Sequence, residues 1–116
     1  MPRMLVVDDE TRICEILKTH FSAKGFTVIC AYTGQEALES LMDEPVDVVL
    51  LDIRLPDMSG IDVLKRAKEL CPDAKVIMVT AVDQEELQTD AKIYGACGYV
   101  TKPFDFSDAT WDQLLT

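Results

Sequence analysis

The sequence predicts an α/β fold in which five parallel strands form one sheet with helices on both faces. Short apolar runs alternate along the chain with amphipathic stretches, which is typical of repeated βα units. The runs are apolar throughout, as expected for strands that are covered on both faces. Right-handed crossovers between such strands give a doubly wound sheet. The predicted strands are Met4–Val7, Thr27–Ala31, Asp47–Leu51, Lys75–Val79 and Gly98–Val100.

The stretches after the first three strands carry clear helix signals. The first helix is predicted to end before Gly25, because glycine suits the left-handed position that follows a helix. The second opens with the capping-box pattern Thr33-Gly-Gln-Glu36. The third begins at Ser59 and ends before Pro72, which cannot continue a helix. The residues expected to face the core are Ile13, Ile16, Leu17 and Phe21 in the first helix, Ala37, Leu38 and Leu41 in the second, and Ile61, Leu64, Ala67 and Leu70 in the third.

The fourth predicted helix, from Asp83 to Tyr94, has the weakest apolar face. Asp83 is its expected cap, with Glu86 as the reciprocal partner. Its apolar face consists only of Leu87, Ala91 and Tyr94, among many polar and charged residues. Because little burial means little local stability, this helix is the element expected to move. A short fifth helix is predicted from Phe106 to Leu115.

Length and composition predict one domain that covers residues 1–116 and can bury a core without disulfides. The 11 Lys and Arg against 21 Asp and Glu give a net charge of -10, which disfavours direct binding to nucleic acid or to an anionic membrane. No apolar run has the length of a membrane span, and the N-terminus lacks a signal-peptide core. A cytoplasmic location is therefore expected.

The cysteines and the single histidine carry no clear functional signal. The four cysteines lie far apart and lack the spacing of a zinc site. They are predicted to be small buried apolar side chains in a reducing compartment. His20 is expected on a solvated helix face. The cysteines are Cys14, Cys30, Cys71 and Cys97.

Five chemically distinctive residues stand where apolar runs end: Asp8, Asp9, Asp52, Thr80 and Lys102. The carboxyl ends of parallel strands share one edge, so these side chains should meet in a single crevice. Adjacent carboxylates repel each other unless a cation intervenes, and Mg²⁺ prefers oxygen ligands. Alternatively, one acid of the pair caps the helix that starts near Thr11. With Asp52 beside the pair, metal binding is the favoured interpretation.

The same residues supply the groups needed for phosphoryl transfer to an aspartate. Asp52 follows a rigid apolar run, and a carboxylate attacks phosphorus when a metal neutralises the incoming charge. Lys102 can contribute a second positive charge, and the Thr80 hydroxyl can donate to a phosphoryl oxygen. Lys102 precedes Pro103, and a cis peptide there would direct the ammonium over the site. The sequence leaves the isomer open.

Four motifs in order make the whole chain resemble a receiver domain of a two-component response regulator, the family that includes the bacterial chemotaxis regulator. The motifs are Val6-Val7-Asp8-Asp9-Glu10, the segment from Leu50 to Gly60 (LLDIRLPDMSG), Val79-Thr80-Ala81, and the segment from Gly95 to Phe104 (GACGYVTKPF). The resemblance implies a flavodoxin-like sheet with strand order 2-1-3-4-5.

The resemblance also implies a role for each matching residue. Asp52 matches the phosphoacceptor. Asp8 and Asp9, with the backbone carbonyl of Arg54, match the remaining ligands of Mg²⁺. Thr80 and Lys102 match the pair that grips the phosphoryl group. Tyr99 matches an aromatic switch residue, although the residues alone favour a half-buried strand tyrosine.

The function implied by the resemblance is that of a phosphoacceptor switch. A histidine kinase would supply the phosphoryl group, and the chain would catalyse its own phosphorylation and slow hydrolysis without being an enzyme in the usual sense. Phosphorylation would change the face formed by the fourth helix, fifth strand and fifth helix. That face would control a C-terminal output domain or a homodimer. Because the final helix is short beside those of typical family members, the chain is expected to be the N-terminal part of a longer regulator.

Three alternatives use the same fold or nucleophile. A phosphate carrier in a phosphorelay would need the same acceptor without the conformational change. A phosphatase of the haloacid dehalogenase type wants a second Asp two positions after the nucleophile as general acid, where this chain has Arg54. A flavodoxin-like cofactor binder needs a Ser/Thr/Gly-rich phosphate loop after the first strand. The acids Asp8, Asp9 and Glu10 would repel a phosphate there.

Overall fold

The computed structural model describes residues 2–107 and 110–115, apart from the side chain of Thr110. Strands and helices alternate along these residues, as predicted. The strands are β1 (Arg3–Val7), β2 (Thr27–Ala31), β3 (Val48–Leu51), β4 (Lys75–Thr80) and β5 (Gly98–Thr101). The helices are α1 (Thr11–Ala23), α2 (Gly34–Asp43), α3 (Gly60–Leu70), α4 (Glu85–Ile93) and α5 (Thr110–Leu115).

The five strands form one parallel sheet in the order β2-β1-β3-β4-β5, which confirms the predicted fold and strand order. Strand β2 is added on one side of β1, whereas β3, β4 and β5 follow on the other side, so the direction of winding changes between the neighbouring strands β1 and β3. In such sheets the crevice outside the carboxyl ends of these two strands is where ligands bind. The fold therefore predicts that a ligand site is formed by the residues that follow β1 and β3.

Each face of the sheet has its own core. Leu5 and Val7 of β1 belong to the core that includes α2, α3 and α4 residues, whereas Met4 and Val6 belong to the core on the α1 and α5 side. This alternation follows from the two-residue period of a strand. Because both faces are covered, β1 and β3 are apolar at nearly every position and are held rigidly.

Local capping explains why α2 and α3 start where they do. The Thr33 hydroxyl accepts a hydrogen bond from the Glu36 N–H at 3.0 Å, and the Glu36 carboxylate accepts one from the Tyr32 N–H at 3.1 Å. This is the predicted capping box, except that the Glu36 carboxylate bonds the N–H of Tyr32 and not that of the cap residue Thr33. Ser59 caps α3 by accepting from the Ile61 N–H at 3.2 Å. Gly25, with a φ of 98°, follows α1 in the left-handed region, as predicted.

The start of α4 differs from the prediction. The helix begins at Glu85, and Gln84 is its N-cap residue. Among the described residues, the Gln84 side chain accepts no capping hydrogen bond from the first turn of α4. The expected cap, Asp83, instead accepts a hydrogen bond from the Gln88 side chain at 2.9 Å. Of the described residues of α4, Ala91 alone is fully buried. The helix is thus anchored as weakly as its sequence suggested.

The region before α5 also corrects the sequence interpretation. Phe106 lies in the loop before the helix, and residues 108 and 109 of the predicted helix lie outside the described residues. The Phe106 ring stacks on the His20 ring with centroids 3.6 Å apart, so His20 is only partly exposed and not fully solvated as predicted. The stacking could not be predicted from local sequence, because the loop that carries Phe106 reaches α1 only in the tertiary fold.

Two smaller predictions about burial are wrong. Ile16 of α1 is 43% exposed, because the core-facing stripe of this helix is formed by Cys14, Leu17 and Phe21. All four cysteines are free thiols, but Cys97 is exposed and Cys30 is only partly buried. Within the part of the chain that the structure describes, no helix combines the length and apolarity needed to cross a membrane.

Candidate functional site

The candidate site lies at the carboxyl edge of the sheet, where Asp8 follows β1 and Asp52 follows β3. The Asp8 N–H donates to the Ala31 carbonyl at 3.0 Å, and the Asp52 N–H donates to the Val7 carbonyl at 2.9 Å. These bonds extend the sheet ladder by one residue, so the backbones of both acids are as rigid as the strands. Asp8 is 2% and Asp52 is 6% exposed. Two carboxylates are therefore held with little access to water.

Lys102 joins these two acids from the far end of the chain. Its ammonium lies 2.6 Å from Asp8 Oδ2, 3.0 Å from Asp52 Oδ2 and 3.4 Å from Glu10 Oε1. The Lys102 N–H donates to the Thr80 carbonyl at 2.8 Å, which fixes the lysine beside the end of β4. The Lys102–Pro103 peptide is cis. The sequence had left that isomer open.

The electrostatics show that one ammonium only partly compensates the acids. Burial raises the pKa of Asp8 above its ordinary value, although the hydrogen bonds from Lys102 and from the Glu10 N–H act in the opposite direction. Burial alone would lower the pKa of Lys102, but the hydrogen bonds to Asp8 and Asp52 outweigh it and the pKa is raised. The lysine thus stays charged, while the pocket still holds more acidic groups than basic ones. Such a pocket favours a further cation.

A divalent cation fits this donor set. Asp8, Glu10 and Asp52 each offer a carboxylate oxygen, and these oxygens lie within 4.8 Å of one another. Hard oxygen ligands of this kind suit Mg²⁺. Lys102 already places a positive charge against the same three carboxylates. The chemistry of the donors supports the metal-site interpretation, because the single ammonium leaves the three carboxylates with an excess of negative charge.

The structure places Asp9 differently from Glu10. Asp9 is exposed and is not part of the three-carboxylate group, whereas Glu10 is. Asp8 Oδ1 accepts a hydrogen bond from the Glu10 N–H at 2.9 Å, which turns the chain here. The sequence analysis therefore missed Glu10 as a member of the acidic cluster. Its position directly after Asp8 and Asp9 was the signal that could have indicated it. Glu10 occupies the N-cap position of α1 without a side-chain cap bond, so the alternative that Asp8 or Asp9 caps this helix is wrong.

The loop after β3 is built around Asp52. The Arg54 N–H donates to Asp52 Oδ1 at 3.2 Å, and Arg54 pairs with Ser59 in an isolated antiparallel bridge. The Gly60 N–H donates to the Ile53 carbonyl at 2.7 Å. A Cβ atom at Gly60 would lie 2.0 Å from the Asp52 carbonyl oxygen, so only glycine fits where α3 begins. The Arg54 side chain itself is exposed.

Thr80 and Tyr99 are linked through the backbone of Val82. The buried Thr80 hydroxyl accepts a hydrogen bond from the Val82 N–H at 3.2 Å. The Tyr99 hydroxyl donates to the Val82 carbonyl. Tyr99 is a partly buried strand residue, and burial raises its pKa. A rearrangement at the Thr80 hydroxyl would therefore reach Tyr99 through a single residue of the β4–α4 loop.

The fold and this constellation of acids, lysine and threonine define a receiver domain. Residues 4–110 match the family model described as the response regulator receiver domain, and the chain belongs to that family. The chain is therefore a phosphoacceptor signalling switch of two-component systems. A phosphatase of the haloacid dehalogenase type and a flavodoxin-like cofactor binder are not favoured.

Particular relatives and solved structures agree with this assignment. The regulatory protein AtoC of Escherichia coli K12 is 42% identical over 106 residues, which cover 91% of this chain and 23% of AtoC. The transcriptional regulatory protein DltR of Streptococcus agalactiae is 40% identical over 113 residues, covering 97% of this chain and 48% of DltR. The chain thus spans 23% and 48% of the length of these two relatives.

Among solved structures, the response regulator TrrA of Thermotoga maritima, determined in complex with Mg(2+)-BeF, superposes with a TM-score of 0.85. TrrA is 36% identical in sequence, and the alignment covers 99% of this chain and 97% of TrrA. TrrA thus resembles this chain along its whole length.

Proposed function

We propose that Asp52 is the phosphoacceptor of this receiver domain. The observation that carries this proposal is that Asp52 is a buried acid at the switch point of the sheet, with a lysine ammonium 3.0 Å from one carboxylate oxygen. The other oxygen accepts a hydrogen bond from the Arg54 N–H at 3.2 Å. These two contacts orient the Asp52 carboxylate while it stays at the carboxyl edge of the sheet. A sensor histidine kinase is the proposed donor.

The proposed metal ligands are the carboxylates of Asp8, Asp9 and Asp52 and the backbone carbonyl of Arg54. Glu10, which shares the acidic cluster, is a further candidate. Bound Mg²⁺ would neutralise charge on the incoming phosphoryl oxygens. Binding at this cluster would also relieve the repulsion among its carboxylates.

The chain's own residues carry the transfer. An oxygen of Asp52 forms the new P–O bond as the P–N bond to the kinase histidine breaks, and the electron pair of that bond stays on the departing imidazole nitrogen, which then takes up a proton. Lys102 turns from Asp52 to a phosphoryl oxygen while remaining close to Asp8. In hydrolysis, a water oxygen attacks the same phosphorus and the Asp52 carboxylate leaves. The domain would thus catalyse both its own phosphorylation and its own dephosphorylation.

The proposed response begins at Thr80. Phosphorylation adds about -1.5 to -2 charges at Asp52. The Thr80 hydroxyl then exchanges its bond from the Val82 N–H for a bond to a phosphoryl oxygen, and the β4–α4 loop follows. Tyr99 loses its position on Val82 and α4 is displaced. The affected face, α4-β5-α5, would control an output domain or a homodimer in the cytoplasm.

A labelling experiment tests the acceptor. We expect a small phosphodonor such as phosphoramidate to label the purified chain in the presence of Mg²⁺. Chelation of the metal or the Asp52→Asn substitution should abolish labelling. Asp73→Asn, which changes an exposed acid in the α3–β4 loop, is the matched control and should be labelled like the parent. Undiminished labelling of the Asp52→Asn variant would place the chemistry at another residue.

A further inference from the structure

Two hydrogen bonds tie the loop after β3 to the first turn of α2. Asp57 Oδ1 accepts from the Gly34 N–H at 2.8 Å, and Asp57 Oδ2 accepts from the Gln35 N–H at 2.9 Å. The first amides of a helix have no partner within the helix, and a carboxylate is favoured there by the helix dipole. These bonds hold the pKa of Asp57 below its ordinary value. Asp57 is therefore ionised and engaged at neutral pH.

A second contact reinforces the first. The Met58 side chain lies against the backbone of Gly34, so closely that a Cβ atom at Gly34 would be 2.4 Å from Met58 Cγ. Glycine at the first position of α2 thus leaves room for the loop to rest on the helix. We call the contacts of Asp57 and Met58 with Gly34 and Gln35 the loop tether.

The other end of the loop is fixed at the candidate site. Arg54 pairs with Ser59, and the Gly60 N–H binds the Ile53 carbonyl. Asp57 stands three residues after Arg54, and Pro56 between them has a restricted φ angle. Because the connecting segment is short and stiff, a fixed tip limits the positions that the Arg54 backbone can adopt.

We propose that Asp57 is a positioning residue of the receiver site: by tethering the loop to α2, it holds the Arg54 carbonyl where Mg²⁺ requires it. This inference rests on the function proposed above, in which that carbonyl is a metal ligand. Mg²⁺ demands near-ideal octahedral geometry and short ligand distances, so a mobile carbonyl weakens binding. The tether acts through the backbone and touches neither the metal nor the phosphoryl group.

The alternative is that Asp57 only stabilises α2. Thr33 already caps this helix by binding the Glu36 N–H, which provides a matched comparison. Thr33→Ala removes a cap of the same helix end and leaves the loop tether in place. Asp57→Ala removes both a cap and the tether. A difference between the two variants in metal binding separates positioning from helix stabilisation.

The test is titration calorimetry of each purified chain with Mg²⁺ alone. Groups that orient metal ligands typically change affinity about 10- to 100-fold when removed, and we expect Asp57→Ala to weaken Mg²⁺ binding about 10-fold. Asp57→Asn keeps one acceptor oxygen and should recover part of that loss. Thr33→Ala should bind within about twofold of the parent. Asp73→Ala, which removes one exposed negative charge elsewhere, should do the same.

Three results would overturn the positioning role proposed for Asp57. They are unchanged affinity in Asp57→Ala, an equal loss in Thr33→Ala, and an equal loss in Asp57→Ala and Asp57→Asn, which would reveal a charge effect. If Asp57→Ala does not fold, Asp57→Asn decides alone, and it must bind Mg²⁺ more weakly than the Asp73→Ala control. Failure of the parent itself to bind Mg²⁺ would instead overturn the proposed function. The parent titration therefore distinguishes the two failures.

Discussion

The ammonium of Lys102 lies 2.6 Å from the Oδ2 atom of Asp8, although 94 positions of the sequence separate the two residues. Both side chains are largely shielded, with 10% of the lysine and 3% of the aspartate exposed. The same ammonium also forms salt bridges with the carboxylates of Asp52 and Glu10. One positive charge among three carboxylates leaves a net negative pocket, which should gain stability from a divalent cation.

We therefore expect Mg²⁺ to raise the melting temperature of the chain. A ligand that binds only the folded state contributes about 2.7 kcal/mol when its concentration is 100 times its dissociation constant. Asp9→Ala should remove most of this gain if Asp9 is a metal ligand. Differential scanning calorimetry with and without millimolar Mg²⁺ measures the effect. A melting temperature that is indifferent to Mg²⁺ in the parent would contradict the metal site.

Glu10→Ala is the comparison variant that tests which of the two neighbouring acids is the metal ligand. Asp9 and Glu10 are neighbours and both are exposed, but only Glu10 belongs to the three-carboxylate group. We expect Glu10→Ala to retain most of the stabilisation by Mg²⁺. The reverse order, with Asp9→Ala still stabilised and Glu10→Ala not, would transfer the ligand role from Asp9 to Glu10.

The Arg54 side chain is expected to lengthen the life of the phosphorylated state. It is exposed two residues after Asp52, where a long cation obstructs an in-line water molecule. Arg54→Ala should shorten the phosphoryl half-life about threefold, which corresponds to less than about 1 kcal/mol of barrier. Decay of radiolabel after removal of the phosphodonor provides the measurement.

Arg54→Lys, which keeps a long cation, serves as the comparison and should decay at nearly the parental rate. Val82 stands at the corresponding position after Thr80, but it is buried in the core and is not expected to shield the water. An Arg54→Ala half-life equal to or longer than that of the parent would count against the shielding role.

The link from Thr80 through Val82 to Tyr99 predicts where activation is felt. Beryllofluoride mimics a bound phosphoryl group, and with it amide exchange should change most across residues 83–102. The α1 and α2 amides should stay nearly constant. Thr80→Ala removes the hydroxyl and should leave the mimic bound while suppressing the change in α4. Hydrogen exchange read by mass spectrometry makes the comparison.

Thr80→Ser retains the hydroxyl and is the control for the exchange experiment, with a response like that of the parent. Tyr99→Phe removes the bond to the Val82 carbonyl and should speed exchange in α4 even without the mimic. If the changes were confined to the loops that touch beryllofluoride, the chain would act as a phosphate carrier in a relay.

The stack of His20 on Phe106 predicts a pH dependence of stability. Burial and the nearby Lys24 lower the pKa of His20 from 6.5, and Asp112 opposes them. The unfolded chain therefore binds a proton at a higher pH than the folded chain does. This contribution to stability is present above pH 6.5 and is lost as the pH falls from there through the lowered folded value.

His20 is the only histidine in the sequence, so its variants isolate this effect. Urea unfolding of the parent between pH 7.5 and 5.5 should show a decline in the free energy of unfolding. The decline should be smaller in His20→Phe, which keeps an aromatic ring for the stack. Parallel pH profiles for the two proteins would refute the assignment.

The local patterns of the sequence were sufficient to predict most of the elements and to single out candidate residues at the ends of the strands. Continuous apolar runs predicted the buried strands, and the capping box at Thr33 and the turn at Gly25 predicted helix limits, because each depends on residues that are close in the chain. Asp8, Asp52, Thr80 and Lys102 were recognisable because each ends an apolar run. A parallel sheet then places such ends on one edge.

The tertiary structure decided what depends on contacts between distant segments. Whether Asp9 or Glu10 joins the acidic cluster depends on how the β1–α1 turn is oriented by Asp8. The stack of His20 on Phe106 and the contact of Asp57 with α2 require segments that no periodic pattern relates. Hydrophobic periodicity reports which face of an element is buried, but it carries no information about which loops meet. That information arises only when the strand order and the loop paths bring them together.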